Sequence, residues 1–340
     1  MKKKVLGLVY IVVTLAITLG ICLFTTEDFT PLIDVIQNID WWWLLGGLGC
    51  MIVYFVFEAM PQYIIYKNHG YSLPFLQSVK VGLIGLYYSG ITPSATGGQP
   101  MQIYYLSKLD LPVGVSSFIS VLKLIFFQGT MTVFCFAGYL VKMDYINEHY
   151  YVARYFMYLG LAINVILIAG VMVLLYKPSI LFRFVKVLMR FIAKFIGRKA
   201  VKLRRKTMIE LEGFYRSYKE SKKDFRDAMA VLACSVIQII SYLSVSFFIY
   251  HAFGMSGENF ITLFAIQAMV VCAVSFFPLP GSAGAQELGY GSFFMPIFGD
   301  HAIFPAMILW RILSSYLAII SGAVMVTVDT AKGLRKKSSK

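Results

Sequence analysis

Two short stretches place Pro, clustered Gly and amides inside otherwise apolar sequence, and a few lone charges accompany them. The first runs Ser89-Gly90-Ile91-Thr92-Pro93-Ser94-Ala95-Thr96-Gly97-Gly98-Gln99-Pro100, and the second Phe277-Pro278-Leu279-Pro280-Gly281-Ser282-Ala283-Gly284-Ala285-Gln286-Glu287. Aligned on Pro93 and Pro280, both fit P-x-x-x-G-[GA]-Q, which sets Gly97 against Gly284 and Gln99 against Gln286. Lys123 follows the first Gln by 24 residues, and Arg311 follows the second by 25. Pro and Gly interrupt the helical hydrogen-bond ladder. The backbone groups they release survive at membrane depth only when packed in protein or lining a polar cavity.

A central Lys, Arg or Asp costs about 2.5 to 3.5 kcal/mol in a membrane helix, so Glu58, Lys80, Lys123, Glu287 and Arg311 each demand a reason. Either the acids and bases form purely structural salt bridges, or they face a wet cavity where the cations meet phosphate and the carboxylates meet an amine. Arg suits bidentate phosphate contact and Lys a point contact. Glycines in the breaks, including Gly98 and Gly281, let backbone approach a ligand closely.

The elements that must position these residues follow from composition. The 340 residues are 59% hydrophobic and only 14% charged, with mean hydropathy +0.72. Soluble chains run near half apolar and a quarter charged, so the solvent is a bilayer. The same numbers exclude a disordered chain, a disulfide scaffold and a soluble nucleic-acid-binding domain despite the net charge of +14. Cys22, Cys50, Cys135, Cys234 and Cys272 lie in apolar stretches without C-x-x-C spacing, and the four His form no ligand array. No metal or other cofactor is expected.

Apolar runs of roughly 20 residues predict spans at 5–24, 42–66, 116–141, 153–176, 228–253, 260–277 and 302–328, with broken segments at 78–106 and 278–298. Between Lys177 and Arg226 stand sixteen Lys and Arg against four acids, a net +12 in one loop. The positive-inside rule makes that loop cytoplasmic, together with the Lys-rich start and tail. With both termini inside, parity has the first break entered from the cytoplasm and the second from outside. The expected fold is an all-α integral membrane protein of about eight transmembrane helices plus re-entrant or broken helices. Its parts are a first membrane half (1–176), a basic loop (177–226), a second membrane half (227–330) and a short tail (331–340). Breaks entered from opposite sides are the mark of an inverted-topology repeat; the other reading is two ordinary loops matched by chance. Within the basic loop, Lys186, Arg190, Lys194 and Arg198 recur every four residues among Phe, Val, Leu and Ile. That spacing fits an interfacial helix held by anionic lipid, and equally a cytoplasmic hairpin obeying the positive-inside rule.

At the two breaks the chain resembles the membrane region of the lysylphosphatidylglycerol synthase and flippase family. The likeness rests on Pro93 with Gly97-Gly98, on Pro280-Gly281 with Gly284 and Glu287, and on Arg311. Family members usually carry Glu after the paired Gly and Arg a few residues later, where this chain has Gln99 and Gln102; before Glu287 an Arg is common, and here it is Gln286. The resemblance implies a cell-membrane protein that moves a phospholipid, such as lysylphosphatidylglycerol, between leaflets and so contributes to resistance to cationic antimicrobial peptides. It implies a phospholipid partner, with an amine at Glu58 and Glu287 and a phosphate at Lys123 and Arg311, and a separate soluble aminoacyl-lipid synthase as a further partner. The family's lysyl transfer from tRNA is carried by a soluble C-terminal domain, whereas here only Ala331 to Lys340 follow the last expected span. A phosphatidylglycerol lysyltransferase and a non-transporting partner of a synthase are the alternatives, and nucleic acid is not an expected partner.

Overall fold

The computed structural model describes residues 39–196, 199–223, 225–275, 277–279 and 281–338. The expected span at 5–24, Pro280 and Arg198 lie outside the described residues, as does the side chain of Lys194. Among the described residues every regular element is helical, as the apolar runs demand: in hydrocarbon a helix satisfies its backbone within itself.

The first half comprises α1 (Trp41–Asn68), α2 (Phe75–Gly90), α3 (Gly98–Ser107), α4 (Val113–Val141), α5 (Met143–His149) and α6 (Ala153–Tyr176). A hairpin of α7 (Pro178–Ile196) and α8 (Lys199–Lys223) follows. The second half comprises α9 (Phe225–Ala252), α10 (Phe260–Val274), α11 (Ala285–Arg311), a π-helical turn (Ile312–Tyr316) and α12 (Leu317–Ser338). The residues just ahead of α1 and α10 cap them with their side chains. Asp40 accepts from the Trp42 amide at 2.9 Å ahead of α1, and Asn259 accepts from the Thr262 amide at 2.9 Å ahead of α10.

Among the described residues, five helical stretches are long and apolar enough to cross a membrane: α1, α4, α6, α9 and the 46 residues Ala285–Thr330. This number differs from the expected eight or so for two physical reasons besides the undescribed 5–24. Helix α10, at 15 residues, is apolar but short. Ala285–Thr330, at 1.5 Å per residue, measures about 69 Å, roughly twice the thickness of a hydrocarbon core. It bends inside α11 at Gly299, whose backbone is not helical (φ 68°, ψ 173°).

The two halves share one plan. Helix α2, a turn and α3 correspond to α10, a turn and the start of α11; α4 corresponds to the stretch beyond Gly299. The alignment on Pro93 and Pro280 places the helix starts, Gly98 and Ala285, at matching positions. It also matches backbone conformation: Ser94 (φ 49°) faces Gly281 (φ 55°), and Ala95 (φ 55°) faces Ser282 (φ 48°). Left-handed backbone is uncommon for residues other than Gly, so its recurrence at paired positions argues against a chance match. At Gly97 the halves diverge, since its φ is −81° and that of Gly284 is 82°.

Packing is reciprocal. Helix α1 lies against its counterpart α9, α2 packs on α12, and α10 packs on α4. The Asp40 amide donates to the Ala252 carbonyl at 2.9 Å, joining the start of α1 to the end of α9. At the other end Asn68 donates to Asp227 at 2.7 Å, and His69 lies 2.9 Å from the same carboxylate. Counterparts α1 and α9 are therefore antiparallel, the relation that an inverted repeat requires. Small residues set the close contacts, as in other membrane helix pairs: a Cβ on Gly322 of α12 would collide with the Leu83 carbonyl of α2, and one on Gly138 of α4 would stand 2.8 Å from Ala265 of α10.

Gly322→Ala should therefore lower the thermal midpoint in detergent, by an overpacking cost of about 1–3 kcal/mol. Gly129→Ala, where a Cβ meets nothing within 4 Å, should be neutral or stabilising by up to about 1 kcal/mol. Equal effects of the two changes would contradict the packing described.

Candidate functional site

Both breaks open onto one cavity of about 650 Å³, within the usual range for small-molecule sites. The turn after α2 contributes Ser94, Ala95 and Thr96, and α3 adds Gly98, Gln99 and Gln102. The turn before α11 contributes Gly281 and Ser282, and α11 adds Gln286 and Arg311. Glu58 enters from α1, Lys123 from α4 and Gln238 from α9.

On one wall, Lys123 is held by α1. Its Nζ stands 2.7 Å from the Glu58 carbonyl, 2.8 Å from Glu58 Oε1 and 3.4 Å from Gln102 Oε1. The same carboxylate accepts from Gln102 Nε2 at 2.8 Å and from Gln238 Nε2 at 2.9 Å. The side chains of Lys123 and Glu58 are 12% and 13% exposed, so the pair is shielded yet still reaches the cavity.

On the other wall, Arg311 Nε stands 2.8 Å from Glu287 Oε1, with side chains 1% and 0% exposed. Arg311 also donates to Gln286 and, at 2.9 Å, to Ser315 in the π-helical turn. The second oxygen of Glu287 accepts from the Gly284 amide at 2.7 Å. One carboxylate thus caps α11, where the helix dipole favours a negative charge, and neutralises the cation of the same half. The π-helical turn next to Arg311 adds Ser314, Ser315 and Tyr316 to the cavity wall.

Glu58 pairs with Lys123 and Glu287 with Arg311, and three of these four, Glu58, Lys123 and Arg311, also line the cavity. Of the residues singled out from sequence, Glu58, Gly98, Gln99, Lys123, Gly281 and Arg311 line it directly. Glu287 stands behind Arg311, while Pro93, Gly97 and Gly284 shape the turns; the Gly97 amide donates to Thr92 Oγ1 at 2.8 Å. Lys80 is elsewhere, paired with Asp329 of α12. Lys186 and Arg190 lie on α7, outside the cavity.

Gln238 and the buried Ser120 and Ser235 also line the cavity, and sequence reasoning does not single them out. Gln238 carries a readable signal, an amide within an apolar span. The serines do not, because Ser can return its hydroxyl to its own helix, as Ser120 does to the Ser116 carbonyl at 2.9 Å.

The family described as "Lysylphosphatidylglycerol synthase TM region" matches residues 7–322. A "UPF0104 membrane protein" from Archaeoglobus fulgidus is 24% identical over 335 residues, covering 95% of this chain and 96% of that protein.

Breaking a buried pair strands a charge, which costs about 3–5 kcal/mol. Arg311→Met should lower stability by that order, and adding Glu287→Gln should recover part of the loss. A double-mutant cycle on thermal midpoints checks this; additive losses would mean the two side chains do not interact.

Proposed function

The chain belongs to the family of the lysylphosphatidylglycerol synthase transmembrane region, and from that premise we propose that it carries phospholipid head groups between the leaflets of the cell membrane. The observation that carries this reading is the convergence of two discontinuous helices and two cation–carboxylate pairs on one cavity. A polar cavity in a bilayer lowers the cost of moving a head group through hydrocarbon, while the acyl chains stay in lipid. Aminoacylated phosphatidylglycerols are the first cargo to test, given the family. Their delivery to the outer leaflet reduces its negative charge and with it the attraction of cationic peptides.

In the same reading α7 rests on the inner leaflet. Three faces of this helix support it. Leu181, Phe182, Val185 and Met189 are partly buried against the protein. Ile180, Phe184, Val187, Leu188 and Phe191 recur at helical spacing and are exposed, Phe184 at 63%. Arg183, Lys186 and Arg190 are exposed beside that apolar stripe. An apolar stripe edged by cations is the pattern of a helix lying in the interface of an anionic membrane. The start of α7 directly after the membrane helix α6 supports the same reading.

Two measurements check these proposals. In liposomes carrying tail-labelled phosphatidylethanolamine, phosphatidylglycerol or an aminoacyl ester of it, the protein should speed exchange of at least one of these lipids between leaflets. Gln99→Trp, which fills the cavity, should slow it about tenfold at unchanged thermal stability, a loss equal to about 1.4 kcal/mol; exchange no faster than in empty liposomes would overturn the transport reading. For α7, Phe184→Trp fluorescence should be quenched by lipids brominated on their tails and Lys186→Trp much less. Equal quenching at both positions would contradict the in-plane placement.

A further inference from the structure

The charges on the cavity wall form a closed set. Among the described residues that line it, the charged ones are Glu58, Lys123 and Arg311, and Glu287 stands directly behind Arg311. Two cations and two carboxylates leave the wall with no net charge. The pair on the first wall holds no charge in reserve either. The three acceptors around Lys123 Nζ match its three protons, and both Glu58 oxygens accept hydrogen bonds.

A head group with net charge entering this cavity would leave water without meeting an uncompensated counter-charge, and desolvating an ion without a partner is costly. A head group that carries both signs brings its own compensation. At the Lys123–Glu58 pair, both of whose members line the cavity, the phosphate can approach Lys123 while the ammonium approaches Glu58, so the pair opens into a four-charge ring without stranding either member. The neutral lining suits the ammonium as well. Ser120 donates its hydroxyl to the carbonyl of Ser116, which leaves its oxygen as an acceptor.

Resting on the transport reading above, we infer that the cavity selects zwitterionic phospholipid head groups with no net charge over anionic or net cationic ones. Phosphatidylethanolamine and phosphatidylglycerol esterified with alanine belong to the favoured class. Unmodified phosphatidylglycerol, with one net negative charge, and its lysyl ester, with one net positive charge, do not.

The test uses the full-length protein with these four lipids and two readouts. Short-chain versions report binding through thermal stabilisation, and tail-labelled versions in liposomes report exchange between leaflets. The two neutral lipids should bind about tenfold more tightly than the two charged ones, a difference of about 1.4 kcal/mol, and should exchange faster. Equal or tighter binding of phosphatidylglycerol or the lysyl ester by the wild-type protein would overturn the inference. Selective binding of neutral lipids without exchange would uphold it while removing the transport reading. Charge changes on the wall provide a second arm: Glu58→Gln makes the wall net positive and should turn the preference to phosphatidylglycerol, and Lys123→Met makes it net negative and should turn it to the lysyl ester. Folded variants that keep the wild-type order would also overturn the inference.

Discussion

A cation at membrane depth must have its counter-charge at hand, and most of this structure can be understood from how that demand is met twice. Lys123 and Arg311 lie in long apolar helices where an unpaired charge would be costly. Each is met by a carboxylate at 2.8 Å. To bring those carboxylates in, the chain uses α1 on one side and the start of α11 on the other, and the cavity lies between them. The released backbone of the two breaks meets the same condition, packed in protein or facing that cavity, which is the only environment in hydrocarbon that tolerates it.

The two solutions are equivalent in position but not in detail. In the second half the counter-ion, Glu287, follows Gly284 by three residues and doubles as a helix cap. In the first half the corresponding region holds Gln99 and Gln102, and the carboxylate comes instead from Glu58 on α1. Gln102 then binds both members of the pair. Gln102 thus joins the Lys123–Glu58 pair, and the two cation–carboxylate pairs together carry no net charge.

Much of this is legible in the residues alone, for reasons that are physical. Pro with clustered Gly marks a break in apolar sequence, whereas single prolines such as Pro61, Pro296 and Pro305 lie inside helices, and a lone Lys or Arg in a span demands a partner. Lys123, Arg311, Glu58 and both breaks stand out on those grounds. Which acid meets which base is not legible, because Glu58 and Lys123 are 65 residues apart and their meeting depends on helix packing. Gln238, 180 residues from Glu58, is hidden for the same reason. Lys80 reads like the other membrane charges, and only the packing of α2 on α12 brings it to Asp329. The kink at Gly299 and the π-helical turn after Arg311 leave no simple mark in composition.

Single cysteines at Ala95 and Ser282, equivalent positions in the two breaks, test most directly whether both breaks wall one cavity that takes a lipid head group. Each would be placed in a cysteine-free background and labelled with a small thiol reagent. Added short-chain phospholipid should protect both cysteines over the same concentration range, because one occupant would fill the space between them. Protection of only one, or of neither while the protein remains folded, would contradict a shared lipid site.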